Sequence, residues 1–274
     1  MEKLNAKLMA FDLDDTLLTS ERTVSEKTVS VLKKCVEKGI YIVLCSGRPE
    51  GGIFPIVEML GLKDSEYGKY IAAINGCSIY DVQKKEKVYS QNVDTEILLK
   101  VDALAEEAGL RSEVYAPDVV YFAEATEWTM KDPILCGIKG EVVPDYKKFL
   151  AEGFFPKMLV PGEPEKLIEL EKKIKTELGD SVNAFTSKPF FLEILRPDCG
   201  KGISMNWLAD YLGIDRDAVM AFGDGMNDEN MIRLCKYGVA MQNANPLLKE
   251  CADFVTDLDN NHDGVADFIE KYIL

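Results

Sequence analysis

Short apolar runs of strand length alternate with amphipathic stretches at both ends of this 274-residue chain. Leu8-Met9-Ala10-Phe11 is an unbroken apolar run that ends in Asp12, Asp14 and Asp15; such a run reads as a strand buried on both faces, with negative charge presented at its carboxyl end. Thr23-Val24-Ser25-Glu26 reads as a capping box opening a helix, with Val29, Leu32, Cys35 and Val36 on one face and Gly39 as its stop. Ile40 to Cys45 is a second strand, followed by Ser46-Gly47-Arg48-Pro49. Strand, helix, strand at this spacing predicts a parallel pair with a right-handed crossover, so Ser46 and Asp12 leave the same sheet edge. A helix over about 51–60 and a strand Tyr70 to Ile74, closed by the Asn75-Gly76 turn, continue the pattern.

The alternation then changes character. Between Asp81 and Arg196 the pattern reads as helix, strand, strand, twice: Asp94 to Ala108 with Glu113 to Tyr115 and Val119 to Phe122, then Pro164 to Leu178 with Val182 to Phe185 and Phe191 to Leu195. A helix followed by a hairpin implies an antiparallel sheet with helices on one face. The parallel pattern resumes with a helix opened by Gly200-Lys201-Gly202 and stopped by Gly213. A strand Ala218 to Phe222 follows and ends in Gly223-Asp224-Gly225-Met226-Asn227-Asp228. Strands at Gly238 to Met241 and Phe254 to Thr256, and a helix from Val265, complete it. The expected architecture is an α/β core domain, residues 1–81 and 197–274, with an α+β domain, residues 82–196, inserted in it.

Composition narrows the field. With 47% hydrophobic residues the chain is an ordinary globular protein, and a formal net charge of -15 argues against sequence-independent affinity for nucleic acid or anionic membranes. Seven cysteines, with no C-x-x-C pair, point to a reducing cytoplasm. Neither a signal-like segment nor an apolar run of spanning length is visible. Oligomeric state is not readable.

Three carboxylates within four residues repel one another unless a cation sits among them or one stays protonated. A hard divalent cation is the simplest resolution. Asp12, directly after the strand, can attack phosphorus and form an aspartyl-phosphate; Asp14 can protonate the leaving oxygen and later activate water. Ser46, with the amides of Gly47 and Arg48, can hydrogen-bond phosphoryl oxygens, and Lys201 adds positive charge at a helix start. Arg48 either contacts substrate or pairs with a surface acid. Asp224 and Asp228, with Asp12 and the backbone carbonyl of Asp14, complete an oxygen-rich shell suited to Mg²⁺.

Phe11-Asp12-Leu13-Asp14-Asp15-Thr16-Leu17-Leu18, Ser46-Gly47-Arg48, Asn75-Gly76, Lys201-Gly202 and Gly223 to Asp228 stand in one order along nearly the whole chain. In this the chain resembles the haloacid dehalogenase (HAD) superfamily, and within it the Cof-type subfamily with a C2 cap. The resemblance implies a Rossmann-like parallel-sheet core with an inserted α+β cap. It also implies Mg²⁺-dependent hydrolysis of small phosphorylated metabolites such as sugar phosphates or phosphorylated cofactors, with Asn227 helping to hold the site and the cap choosing the substrate. Asp15 in place of Gly, Ser46 in place of Thr, and Gln242 where Gly often precedes Asn243-Ala244 are departures that remove no group this chemistry needs.

Two other readings stand beside it. A phosphomutase would return the phosphoryl group to substrate rather than to water. A calcium-binding protein would use residues 259–270, whose oxygen-bearing residues have EF-hand spacing, although a strand rather than a helix precedes them. His262 is the only histidine, so a His-rich metal centre is excluded and a Ser-His-Asp or Cys-His enzyme would have to be built on it.

Overall fold

The computed structural model describes residues 3–274. They fall into two compact units, one taking the chain up to Gly47 with residues 53–89 and 200–274, the other residues 48–52 and 90–199. No helix among the described residues is long and apolar enough to cross a membrane.

The first unit begins with β1 (Leu8–Phe11), α1 (Glu26–Glu37), β2 (Tyr41–Cys45), α2 (Glu50–Leu60), β3 (Tyr70–Ala73), β4 (Ser78–Asp81) and β5 (Glu86–Ser90). The α1 cap is Ser25, whose side chain accepts from the Thr28 amide. Thr23, expected in that role, is instead paired with Thr19, their hydroxyls 3.0 Å apart. The Asn75-Gly76 turn does more than end β3: it reverses the chain into β4, with Ala73 opposite Ser78 and Tyr70 opposite Asp81. Residues 82–89 therefore extend the first unit's sheet.

The second unit contains α3 (Thr95–Glu107), β6 (Glu113–Ala116), β7 (Val119–Phe122), α4 (Lys131–Cys136), β8 (Lys139–Val142), α5 (Tyr146–Glu152), β9 (Met158–Pro161), α6 (Pro164–Leu178), β10 (Asn183–Lys188) and β11 (Phe191–Leu195). Its sheet runs β10-β11-β9-β6-β7-β8. The helix and hairpin repeats are present, but the centre of the sheet is β9, a four-residue strand ending in proline that the hydrophobic pattern does not separate from loop. Leu98, Val101, Leu167 and Ile174 from α3 and α6 pack on Val114, Met158, Val160 and Ile194 of the sheet. Glu113, Tyr115 and Glu193, neighbours of these core positions along β6 and β11, are also buried. The Tyr115 hydroxyl lies 2.6 Å from Asp132 and 3.1 Å from Glu113, and Lys157 stands 3.4 Å from Glu193 and 4.3 Å above the Tyr115 ring. Tyr121 packs on Phe149, Trp128 under Lys131, and Phe190 on Phe191.

The chain returns to the first unit through α7 (Lys201–Leu212), β12 (Val219–Gly223), α8 (Glu229–Leu234), β13 (Tyr237–Ala240), α9 (Pro246–Cys251), β14 (Phe254–Val255) and α10 (Gly264–Tyr272). The sheet order is β14-β13-β12-β1-β2-β3-β4-β5, parallel from β14 to β3. Each residue of β1 has no solvent exposure, and Phe11 stacks on Phe222 with centroids 4.9 Å apart. The strand order runs outward in both directions from β1. In open parallel sheets, ligands bind beyond the carboxyl ends of strands at such a reversal.

Candidate active site

The registers Phe11 to Phe222 and Phe11 to Leu44 bring the ends of β1, β12 and β2 level. Asp12 is thereby the first residue past β1, its amide donating to the Phe222 carbonyl at 3.0 Å. The chain then makes a short helical turn, Leu13–Leu17, in which Asp14 and Asp15 are non-helical and Asp15 has φ +60°.

Across the gap, Gly223 lets the loop after β12 fold back on itself. A Cβ there would lie 2.6 Å from the Asp228 Cβ, so only glycine admits the approach. Asp228 Oδ2 accepts the amides of Asp224 and Gly225 at 3.0 and 3.1 Å, while its Oδ1 lies 2.6 Å from Lys201 Nζ. Lys201, the first residue of α7, also reaches Asp12 Oδ1 at 2.5 Å. Lys201 is 1% exposed, Asp12 6% and Asp228 fully buried.

Burial pushes the Asp12 carboxyl well above its ordinary value, and the Asp228 charge adds to this against the pull of Lys201. Burial pulls Lys201 down, but the Asp12 and Asp228 charges outweigh it and hold the ammonium protonated. Asp224 is raised to about 6, by burial first and then by Asp228. The Thr16 hydroxyl donates to Asp224 Oδ1 at 3.0 Å and opposes that rise.

Asp12, Asp224 and Asp228 each offer an oxygen, and these oxygens all lie within 4.8 Å of one another. Three carboxylates facing one ammonium leave a local excess of negative charge. This is a donor set that can hold a divalent cation.

Of the residues singled out from sequence, Asp12, Lys201, Asp224 and Asp228 are thus brought together. Ser46 is buried at the end of the adjoining β2, where its carbonyl accepts the Asn75 amide at 2.9 Å. Gly47 is half-buried against the Asn75 side chain. Asp14 lies on the same turn as Asp12 but its side chain is exposed, outside the three-carboxylate group, and Asn227 is exposed as well. Arg48 is half-buried, groups with the second unit, and donates to the Gly52 carbonyl at 3.4 Å. Sequence reasoning missed the contact Thr16 makes with Asp224. Its place four residues after Asp12 was the available signal, but a threonine in an acidic turn reads first as a turn former.

An acidic group closed by a buried lysine thus lies at the carboxyl edge of a parallel sheet, where open α/β folds place their active sites. Residues 9–269 match the haloacid dehalogenase-like hydrolase family, and the chain belongs to it. A Bacillus subtilis protein provisionally named a phosphatase is 32% identical over 98% of both chains, and a Streptococcus pyogenes protein named in the same way is 27% identical over 99% of this chain and 100% of its own. A haloacid dehalogenase-like hydrolase from Bacteroides thetaiotaomicron superposes with a TM-score of 0.88 at 32% identity, covering 97% of this chain and 99% of the other. A structure described as a subclass IIB sugar phosphatase shares the fold, with a TM-score of 0.81 at 22% identity over 97% of this chain and 99% of its own. The chain is a hydrolase of this family.

Proposed function

We propose that the chain hydrolyses small phosphate monoesters, sugar phosphates or phosphorylated cofactors, with Mg²⁺ and through an aspartyl-phosphate on Asp12. The observation that carries this is the buried ammonium of Lys201 bridging Asp12 and Asp228, with the Asp224 oxygen within reach of both carboxylates. The sugar-phosphatase description of one structural neighbour supports the substrate class.

In the first step an Asp12 oxygen attacks phosphorus, the ester P–O bond breaks, and Asp14 gives its proton to the departing alkoxide. In the second step a water oxygen attacks the same phosphorus, Asp14 takes a proton from that water, and Asp12 leaves as a carboxylate. Ser46 and the amides of Gly47 and Arg48 hydrogen-bond phosphoryl oxygens, and Asn227 helps to hold the loop. Lys201 keeps Asp12 oriented and opposes the charge that gathers on the phosphoryl group. Asp12, Asp224 and Asp228, with the Asp14 carbonyl, would hold Mg²⁺, which would supply further positive charge at the site. Among the described residues no disulfide joins any of the seven cysteines, which suits a reducing cytoplasm.

The test is phosphate release from a panel of phosphorylated sugars and cofactors, with Mg²⁺ or with EDTA, for the native chain and Asp12→Asn. Metal-dependent release that the substitution abolishes is expected. Release that survives in Asp12→Asn contradicts the assignment, and transfer without net phosphate release marks a mutase.

A further inference from the structure

The EF-hand-like spacing at residues 259–270 is left unexplained by the reaction, and its side chains are occupied by other partners. Asp259 Oδ1 accepts the Asn261 amide at 2.9 Å and lies 2.6 Å from His262 Nδ1. The Gly264 amide returns to the Asp259 carbonyl at 2.9 Å, and a Cβ on Gly264 would lie 2.1 Å from the Leu258 carbonyl oxygen. The loop is therefore closed tightly on itself, and α10 starts at Gly264, too early for an EF-hand. Among the described residues the only group of three or more acidic, histidine or cysteine side chains placed to hold an ion is Asp12, Asp224 and Asp228.

From this frame the remaining side chains reach to the turn that carries the nucleophile. Asn260, 8% exposed, donates through Nδ2 to the Leu18 carbonyl at 2.9 Å. Its amide donates to Asn243 Oδ1 at 3.2 Å, and Asn243 Nδ2 donates in turn to the Asp15 carbonyl at 2.7 Å. Asn261 Oδ1 accepts the Ser20 amide at 2.9 Å, and the Ser25 hydroxyl donates to Asp263 Oδ1 at 2.5 Å. The turn itself is irregular: Asp15 has φ +60°, and its backbone closes through Leu17 to Asp12 at 3.3 Å and Leu18 to Leu13 at 2.8 Å. The carbonyls of Asp15 and Leu18 thus take donors from outside the turn.

We propose that Asn243 and Asn260 are positioning residues, forming with the closed loop Leu258–Gly264 a clasp that fixes the backbone carrying Asp12 and Asp14. Asparagine is required at both places for a chemical reason. Asn243 accepts with one end of its amide and donates with the other, and Asn260 donates to a carbonyl; a carboxylate of the same shape would face that carbonyl oxygen with a lone pair. The kinetic half of the inference rests on the phosphatase mechanism above, whereas the structural half does not.

The test uses Asn243→Asp and Asn260→Asp in the full chain, with Mg²⁺ and p-nitrophenyl phosphate for kinetics and amide hydrogen exchange over residues 13–18 for structure. Loss of the donor should lower kcat about ten- to a hundredfold, the scale of small misplacements at a reacting centre, with KM little changed. Exchange should quicken in residues 13–18 while the rest of the chain and the melting temperature hold. Native kcat and exchange in folded variants would overturn the proposal. So would exchange that quickens uniformly with a matching fall in melting temperature, since that is a purely structural role. Calcium titrated into the native chain should produce no heat assignable to this loop, and tight binding lost in Asp259→Ala would overturn the clasp in favour of a cation site. If the native chain does not turn over the probe, the mechanism fails and the exchange measurement still decides the clasp.

Discussion

Lys201 balances two buried carboxylates with one charge. Lys201→Met would leave Asp12 and Asp228 buried without a counter-charge, which costs about 3–5 kcal/mol when a buried pair is broken from one side. Urea unfolding in EDTA should show that loss, and added Mg²⁺ should recover part of it; an unchanged midpoint would mean the lysine does not carry the pair. Asp224 gives a pH signature. Its carboxyl is raised from 3.8 to about 6, mainly by burial. A carboxyl raised in the folded state contributes stability that is complete below its unfolded value and lost as the pH rises through the folded one. The metal-free chain should therefore lose this contribution between 3.8 and about 6. The gain in melting temperature from Mg²⁺, which needs the carboxylate form, should grow across the same window. A gain independent of pH there would contradict the placement of Asp224 at the cation.

At the scale of elements, the site depends on how closely β12 and the turn after it can approach. Gly223→Ala would put a methyl group 2.6 Å from the Asp228 Cβ. Displacing Asp228 from the amides it accepts and from Lys201 should cost about 1–3 kcal/mol, the range for overpacking a filled site. Calorimetry should find Mg²⁺ binding weakened in the same variant, and native Mg²⁺ affinity would show that the loop tolerates the added carbon. The strands that frame this site were legible because each is an apolar run closed by a sharp polar signal, as in Met9-Ala10-Phe11-Asp12 or Ala221-Phe222-Gly223-Asp224. The helix starting at Lys201 was legible from its flanking glycines and the stop at Gly213. What escaped was short or polar. β5 reads Glu86-Lys87-Val88-Tyr89-Ser90 and buries little, and β8 reads Lys139-Gly140-Glu141-Val142 and is mostly exposed or half-exposed. In such strands the sheet neighbours, not a local hydrophobic pattern, decide the conformation. The side-chain links from Asn243 and Asn260 to the Asp12 turn were also invisible, because they join residues more than two hundred positions apart.

For the whole molecule, a net charge of -15 surrounds a centre that must accept a phosphate dianion. Lys201, the backbone amides at strand ends and a divalent cation can offset that repulsion locally, which is how an acidic chain accommodates an anionic substrate. The central claim is that the phosphoryl group passes through Asp12, and the most direct measurement is to catch it there. Acid quenching of the Mg²⁺-loaded chain during turnover of an aryl phosphate, in the native form and in Asp14→Asn, followed by peptide mass spectrometry, reads the position of the label. The account predicts a phosphoryl group on the peptide holding Asp12, accumulating further in Asp14→Asn because the attacking water has lost its base. A chain that turns over with no label on Asp12, or with label on another residue, would contradict it.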